Sequence, residues 1–226
     1  MKPLCRIVFL ITFLANSSVK AQEIHGDVEG LWIIGTSMHV SDKTNLFVYG
    51  ARDIKLDANA VMVMSAIQLN KYISIAAAYA FISAPPVASL RYQEHSLFGS
   101  VLFSLPVKSF LLDDRNMMQE GFRRIFRDLT FYRNRLRLTY ATKIGEKKRP
   151  FRIFVYDEGY YNITRGMWAR NRWSGGAGIR LFDFLESELA YIRETSRNNV
   201  NRDLLSISLV VTLDGVLKKV NTANAN

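Results

Sequence analysis

FYRNRLRLTYA, residues 131–141, alternates with a period of two. Arg133, Arg135 and Arg137 fall on one side of an extended chain. Leu136, Leu138 and Tyr140 fall on the other, with Tyr132 and Asn134. Successive side chains of a strand point to opposite faces, so this segment has a guanidinium face and a mostly apolar face. Three arginines do not sit easily in the core of a soluble protein. They fit a closed barrel whose apolar face meets lipid and whose charged face lines the interior.

The same alternation recurs outward from this stretch. Tyr92 to Leu105 sets Leu97, Val101, Phe103 and Leu105 against Ser96, Ser100 and Ser104. Ile73 to Ser83 sets Ile73, Ile75, Ala77, Tyr79 and Phe81 against Ser74, Ala76, Ala78 and Ala80. The other strand-like segments are Glu29 to Val40, Thr44 to Asp53, Ala60 to Asn70, Lys108 to Met118, Phe151 to Asn162, Trp168 to Leu181, Leu185 to Glu194 and Asp203 to Leu213. Pro85-Pro86 and Pro106 are expected to end the strands before them, because proline cannot donate to a ladder. Glu120 to Asp128 is ambiguous, since Phe122, Ile125, Phe126 and Leu129 also suit helical spacing. Segments of ten or more residues suit tilted membrane strands. Tyr132 and Tyr140, eight residues apart, would span roughly 21 Å at a tilt near 40°, close to the separation of two aromatic girdles.

Eleven segments are countable, and barrels of this kind usually have an even strand number. The expectation is therefore an all-β, antiparallel up-and-down transmembrane β-barrel of about 12 strands, with 10 as the alternative.

The N-terminus reads as an export signal over residues 1–21. Lys2 and Arg6 precede the apolar run from Ile7 to Ala15, and Val19-Lys20-Ala21 suits a cleavage site. Residues 22–226 would form one barrel domain. The lone cysteine, Cys5, would leave with the signal, which excludes disulfides and thiolate metal sites from the mature chain. Removing Lys2, Arg6 and Lys20 from 30 basic residues leaves 27 against 20 acidic ones. Export argues against a nucleic-acid partner for that basic balance. The expected location is the outer membrane of a Gram-negative bacterium. The expected partners are outer-membrane lipid, the barrel insertion machinery and small polar solutes.

The charged faces supply the candidate site. Arg170, Arg172 and Arg180 share one face with Ser174, Gly176 and Gly178; Glu186 and Glu188 share another; Glu158 lies on the side of Arg152. With Arg133, Arg135 and Arg137 they form a candidate lumen charge network, since guanidinium and carboxylate pair through two parallel hydrogen bonds. Such a network either fills and stiffens the interior or lines a constriction that selects solutes. Gly175, Gly176 and Gly178 read as a bend or a close approach by a bulky neighbour, with Trp173 the candidate neighbour.

The sequence gives no catalytic, cofactor or metal assignment. Only His25, His39 and His95 are available as bases. His39 has Ser37 and Ser41 on its face, each about 7 Å along the strand. Function is thus expected to be a small pore or a structural barrel with a charged lumen. The alternatives are a soluble periplasmic barrel that binds an apolar ligand, and a lipid-modifying barrel enzyme.

The order RNRLRL (Arg133 to Leu138), YDEGYYN (Tyr156 to Asn162), NRWSGGAG (Asn171 to Gly178) and ESELAY (Glu186 to Tyr191) resembles a family of uncharacterised Gram-negative outer-membrane β-barrel proteins. The resemblance implies a signal peptide and an outer-membrane barrel. It also implies that Arg133, Arg135, Glu158, Asn162, Asn171, Arg172, Glu188 and Tyr191 are recurrent polar and aromatic positions, and it brings no assignment of a catalytic role to them. The chain departs from the usual barrel ending, because no aromatic residue follows Tyr191.

Overall fold

A computed structural model describes residues 28–87, 90–124, 126–197 and 201–214. The expected signal segment, with His25, lies outside the described residues. Eleven strands follow in order: β1 (Glu29–Ser41), β2 (Thr44–Asp53), β3 (Ala58–Gln68), β4 (Ile73–Val87), β5 (Leu90–Val107), β6 (Phe110–Arg123), β7 (Leu129–Ile144), β8 (Arg149–Asn162), β9 (Met167–Phe182), β10 (Leu185–Ser196) and β11 (Asn201–Thr212). Each pairs antiparallel with the next, and β1 pairs with β11 to close a barrel.

That closing pair is parallel, from Glu29 opposite Leu204 to Ser37 opposite Thr212. An odd number of up-and-down strands forces it, since β1 and β11 then run the same way. The expectation of 12 strands is corrected to eleven. The ambiguous stretch after Glu120 hides no extra strand: β6 runs on to Arg123, and Asp128 Oδ1 then accepts the Arg123 backbone N–H at 2.9 Å to hold the turn.

The prolines do not end their strands. β4 runs through Pro85-Pro86, with the register shifted between Ala84 and Pro86. Proline is tolerated where a bulge breaks the ladder. Pro106 sits one residue from the end of β5, opposite Leu111, beside the hairpin turn.

Register fixes the faces. In β7, Leu136 and Leu138 are 49% and 43% exposed, whereas the interleaved Arg133, Arg135 and Arg137 are not. Val155, Leu189 and Leu97 are likewise exposed on their strands. Apolar side chains point outward and arginines inward, the reverse of what a soluble barrel with an apolar core requires. Ring pairs lie near both rims: Phe110 with Tyr140 at 5.1 Å between centroids, and Tyr161 with Trp168 at 5.5 Å.

Candidate functional site

The charged residues converge on the interior wall made by β6 to β11. Glu158 on β8 accepts from Arg115 Nη2 at 2.6 Å and from Arg133 Nη2 at 3.1 Å. Arg133 also donates to Gln119 Oε1 at 3.1 Å. Glu194 on β10 takes Arg172 and, at 3.5 Å, Arg170. Arg137, Arg152 and Arg180 form a chain with Glu188 and Glu186, at 3.4 Å for Arg137–Glu188, 3.1 Å for Arg152–Glu188, 3.0 Å for Arg152–Glu186 and 2.6 Å for Arg180–Glu186.

Tyr160 joins two of these groups. Its hydroxyl accepts from Arg172 Nη1 at 2.8 Å and donates to Glu158 Oε2 at 3.0 Å. Its ring has Arg133 and Arg170 at 4.4 and 4.2 Å from the centroid. A guanidinium over an aromatic face is attracted by the ring quadrupole, and more so when desolvated. Tyr160 is fully buried and Phe154 is 2% exposed, so this part of the interior is packed solid.

Of the ten residues the sequence singles out, nine stand in ion pairs and Arg135 does not. Arg135 lies in register between Arg115 and Glu158, yet among the described residues it makes no hydrogen bond or ion pair. Its guanidinium sits 5.5 Å from the Tyr156 ring centroid.

The glycines on β9 serve these contacts, and the bulky neighbours are Phe154 and Arg152 rather than Trp173. A Cβ at Gly176 would stand 2.6 Å from Phe154 Cζ and from the Leu189 carbonyl oxygen. One at Gly178 would stand 2.8 Å from Arg152 Nε. Gly178 thus leaves the space through which Arg152 reaches Glu188.

Sequence reasoning missed several members. Arg115 lies within the segment Lys108 to Met118 and Gln119 just past its end, and in β6 Asp113, Arg115, Met117 and Gln119 alternate inward. Arg202 on β11 bonds Glu29 on β1 through Nε at 2.7 Å and Asp53 on β2 at 2.5 Å, and so straps the parallel seam from inside. His39 Nδ1 pairs with Asp214 beyond the other end of the seam. A base and its orienting carboxylate alone do not make a hydrolytic site. The Ser37 hydroxyl on the same face instead bonds Thr212 Oγ1 at 3.3 Å. His95 pairs with the Tyr79 hydroxyl at 2.6 Å. No cluster of three metal-ligating side chains occurs among the described residues.

A second polar group lies on the outer face. Asn134 Nδ2 donates to Asp114 Oδ1 at 2.6 Å and to Asn116 Oδ1 at 3.1 Å, and Asn171 Nδ2 donates to Asp157 Oδ1 at 2.9 Å. Asn134 was the one visible break in the apolar face of residues 131–141. The structure shows that it belongs to a hydrogen-bonded set rather than standing alone.

The interior is not uniform. β2 to β5 contribute inward Phe47, Met62, Met64, Ala78, Ala80 and Phe98, so an apolar wall faces the charged one. Between the two walls lies a cavity of about 390 Å³.

Fold and interior together define an up-and-down β-barrel, apolar outside and ion-paired within. The chain belongs to the family described as "Protein of unknown function (DUF2490)", which matches residues 31–204. Its fold is similar to that of LpxR from Salmonella typhimurium, with a TM-score of 0.51, 10% sequence identity, and coverage of 75% of this chain and 83% of that one. No curated protein matches the sequence.

Proposed function

We propose that this protein is an exported outer-membrane β-barrel whose interior is closed by its own side chains, and not a freely conducting pore. The burial of Tyr160 carries the reading. It points inward from β8, two residues before that strand ends, and its ring and hydroxyl are enclosed by Arg133, Arg170, Arg172 and Glu158. An aqueous channel would leave lumen-lining groups wet. The outward apolar residues and the similarity to LpxR, an outer-membrane barrel, support the location. Outer-membrane lipid is then the solvent of the outer face, and the barrel insertion machinery is the partner that assembles it.

The test has two arms. The full chain, expressed with residues 1–21, should fractionate with outer membranes and migrate differently on a gel before and after boiling. In planar bilayers the purified barrel should show no steady ohmic conductance. Recovery in the aqueous extract refutes the membrane reading, and a stable open conductance refutes the closed interior.

A further inference from the structure

We propose that the cavity between the two interior walls is a binding site for a single-chain anionic amphiphile: a carboxylate or phosphate head held by Arg115, Arg133 and Arg135, and an acyl tail laid against the apolar wall. The inference rests on the barrel reading above and adds an occupant to it.

The charge balance around the cavity is the first argument. Three guanidiniums line it, and no aspartate or glutamate does. Glu158, the carboxylate that compensates Arg115 and Arg133, does not line the cavity and is already bonded to those two arginines and to Tyr160. Arg135 has no hydrogen bond or ion pair among the described residues. The Nε atoms of Arg115, Arg133 and Arg135 are buried without a partner. A buried charge without a counter-charge is costly, and an anion entering between these forks removes the cost. A guanidinium offers paired N–H donors that match a carboxylate or a phosphate equally well.

The facing wall is the second argument. Phe47, Met62, Met64 and Phe98 carry no charge, and Ala76 and Ala78 leave the space open between them. A bare anion would gain nothing from such a surface, whereas a hydrocarbon tail is removed from water there. Methionine side chains are flexible and adapt to a chain of variable shape. At about 390 Å³ the cavity is at the low end of the range for small-molecule sites, which suits one acyl chain rather than a multi-chain lipid. Wet half-charged, half-apolar clefts also occur as packing by-products, but a by-product would not leave the central arginine of a paired network without a partner.

Native mass spectrometry of the full mature chain, released from a neutral maltoside detergent, tests the proposal with four probes. Dodecanoate, dodecyl phosphate or both should give a one-to-one adduct, and which of them does so identifies the head group. Dodecanol should bind about tenfold more weakly or less, and acetate should give no adduct at the same concentration. Arg135→Gln should weaken the adduct about tenfold or more while gel migration before boiling stays unchanged. Ala78→Trp should abolish it by filling the space while all three arginines remain. Equal binding of dodecanol, or of acetate, overturns the proposal on the unaltered protein alone. So does a membrane-embedded, heat-modifiable barrel that takes up neither anionic probe. Failure of the barrel reading itself shows separately, as a chain found in the aqueous extract.

Discussion

Arg115 reaches over strand β7 to bond Glu158, Nη2 to Oε1 at 2.6 Å, and passes the residue that stands directly between them in the ladder, Arg135. Glu158 is 3% exposed and also holds Arg133 and the Tyr160 hydroxyl. It is the one carboxylate that balances the arginines of β6 and β7 at this level. Removing one partner of a buried ion pair costs about 3–5 kcal/mol, because the other charges stay buried without compensation. Glu158→Gln keeps the shape and removes the charge. It is expected to lower stability by about that amount, read as a lower urea midpoint for the barrel in lipid vesicles. An unchanged midpoint would mean that the interior is wetter than its packing indicates.

Arg135 and Arg133 make a paired test, since they are two residues apart on one face and differ in partners. Arg133 donates to Glu158 and Gln119, so Arg133→Met removes two charge-assisted bonds and should destabilise by about 1.5–3 kcal/mol. Arg135→Met removes an uncompensated buried charge and keeps an apolar stem of similar length. Its stability should be unchanged or higher by about 1 kcal/mol. The comparison is made on the temperature at which each barrel shifts to its unfolded gel position. A loss of equal size in both variants would show that Arg135 has a partner after all.

Both faces of β7 could be read from the sequence because strand alternation is a local property, and so could the eleven segments, each bounded by its own turn. The twelfth strand came from a rule about closure that the chain does not obey; nothing local in the sequence reports whether β1 meets its last partner parallel or antiparallel. The proline errors have a similar origin, since Pro86 is placed at a bulge by its pairing with Arg91, which a single strand cannot reveal. Among the candidate site residues, Arg180 with Glu186 is suggested by shared faces on consecutive segments. Arg152 with Glu188 and Arg115 with Glu158 are not, because each pair skips a strand. The apolar half of the interior is hidden for another reason: Met62 and Met64 alternate with the outward Val61 and Val63, so both faces of β3 look alike, and Phe98 interrupts the serine face of β5.

Gly176 and Gly175 are neighbours with opposite tolerances. A Cβ at Gly176 meets backbone and Phe154 at 2.6 Å, whereas at Gly175 the nearest atoms are Val155 Cγ1 at 3.9 Å and the Phe154 carbonyl oxygen at 4.0 Å. Gly176→Ala forces Phe154 or strand β10 to move and should cost about 1–3 kcal/mol as an overpacked interior site. Gly175→Ala should leave the unfolding midpoint where it was. Equal effects would show that Phe154 does not lie across β9.

The parallel seam fixes where the chain ends lie. With eleven strands, the start of β1 opens at the mouth that carries the β8–β9 turn (163–166), and the end of β11 lies at the mouth that carries the β7–β8 turn (145–148). An even-stranded barrel would place both ends at one mouth. Cys5 is the single cysteine of the sequence, so with Cys5→Ser as background single cysteines report position. Val28→Cys and Leu213→Cys are expected to respond oppositely to a membrane-impermeant maleimide applied to intact cells, one labelled and one protected, with both labelled after lysis. Arg165→Cys should follow Val28→Cys, and Lys147→Cys should follow Leu213→Cys. If the substitutions at 28 and 213 behave alike while those at 165 and 147 still differ, the closing pair is not the parallel one and a further strand lies between β11 and β1.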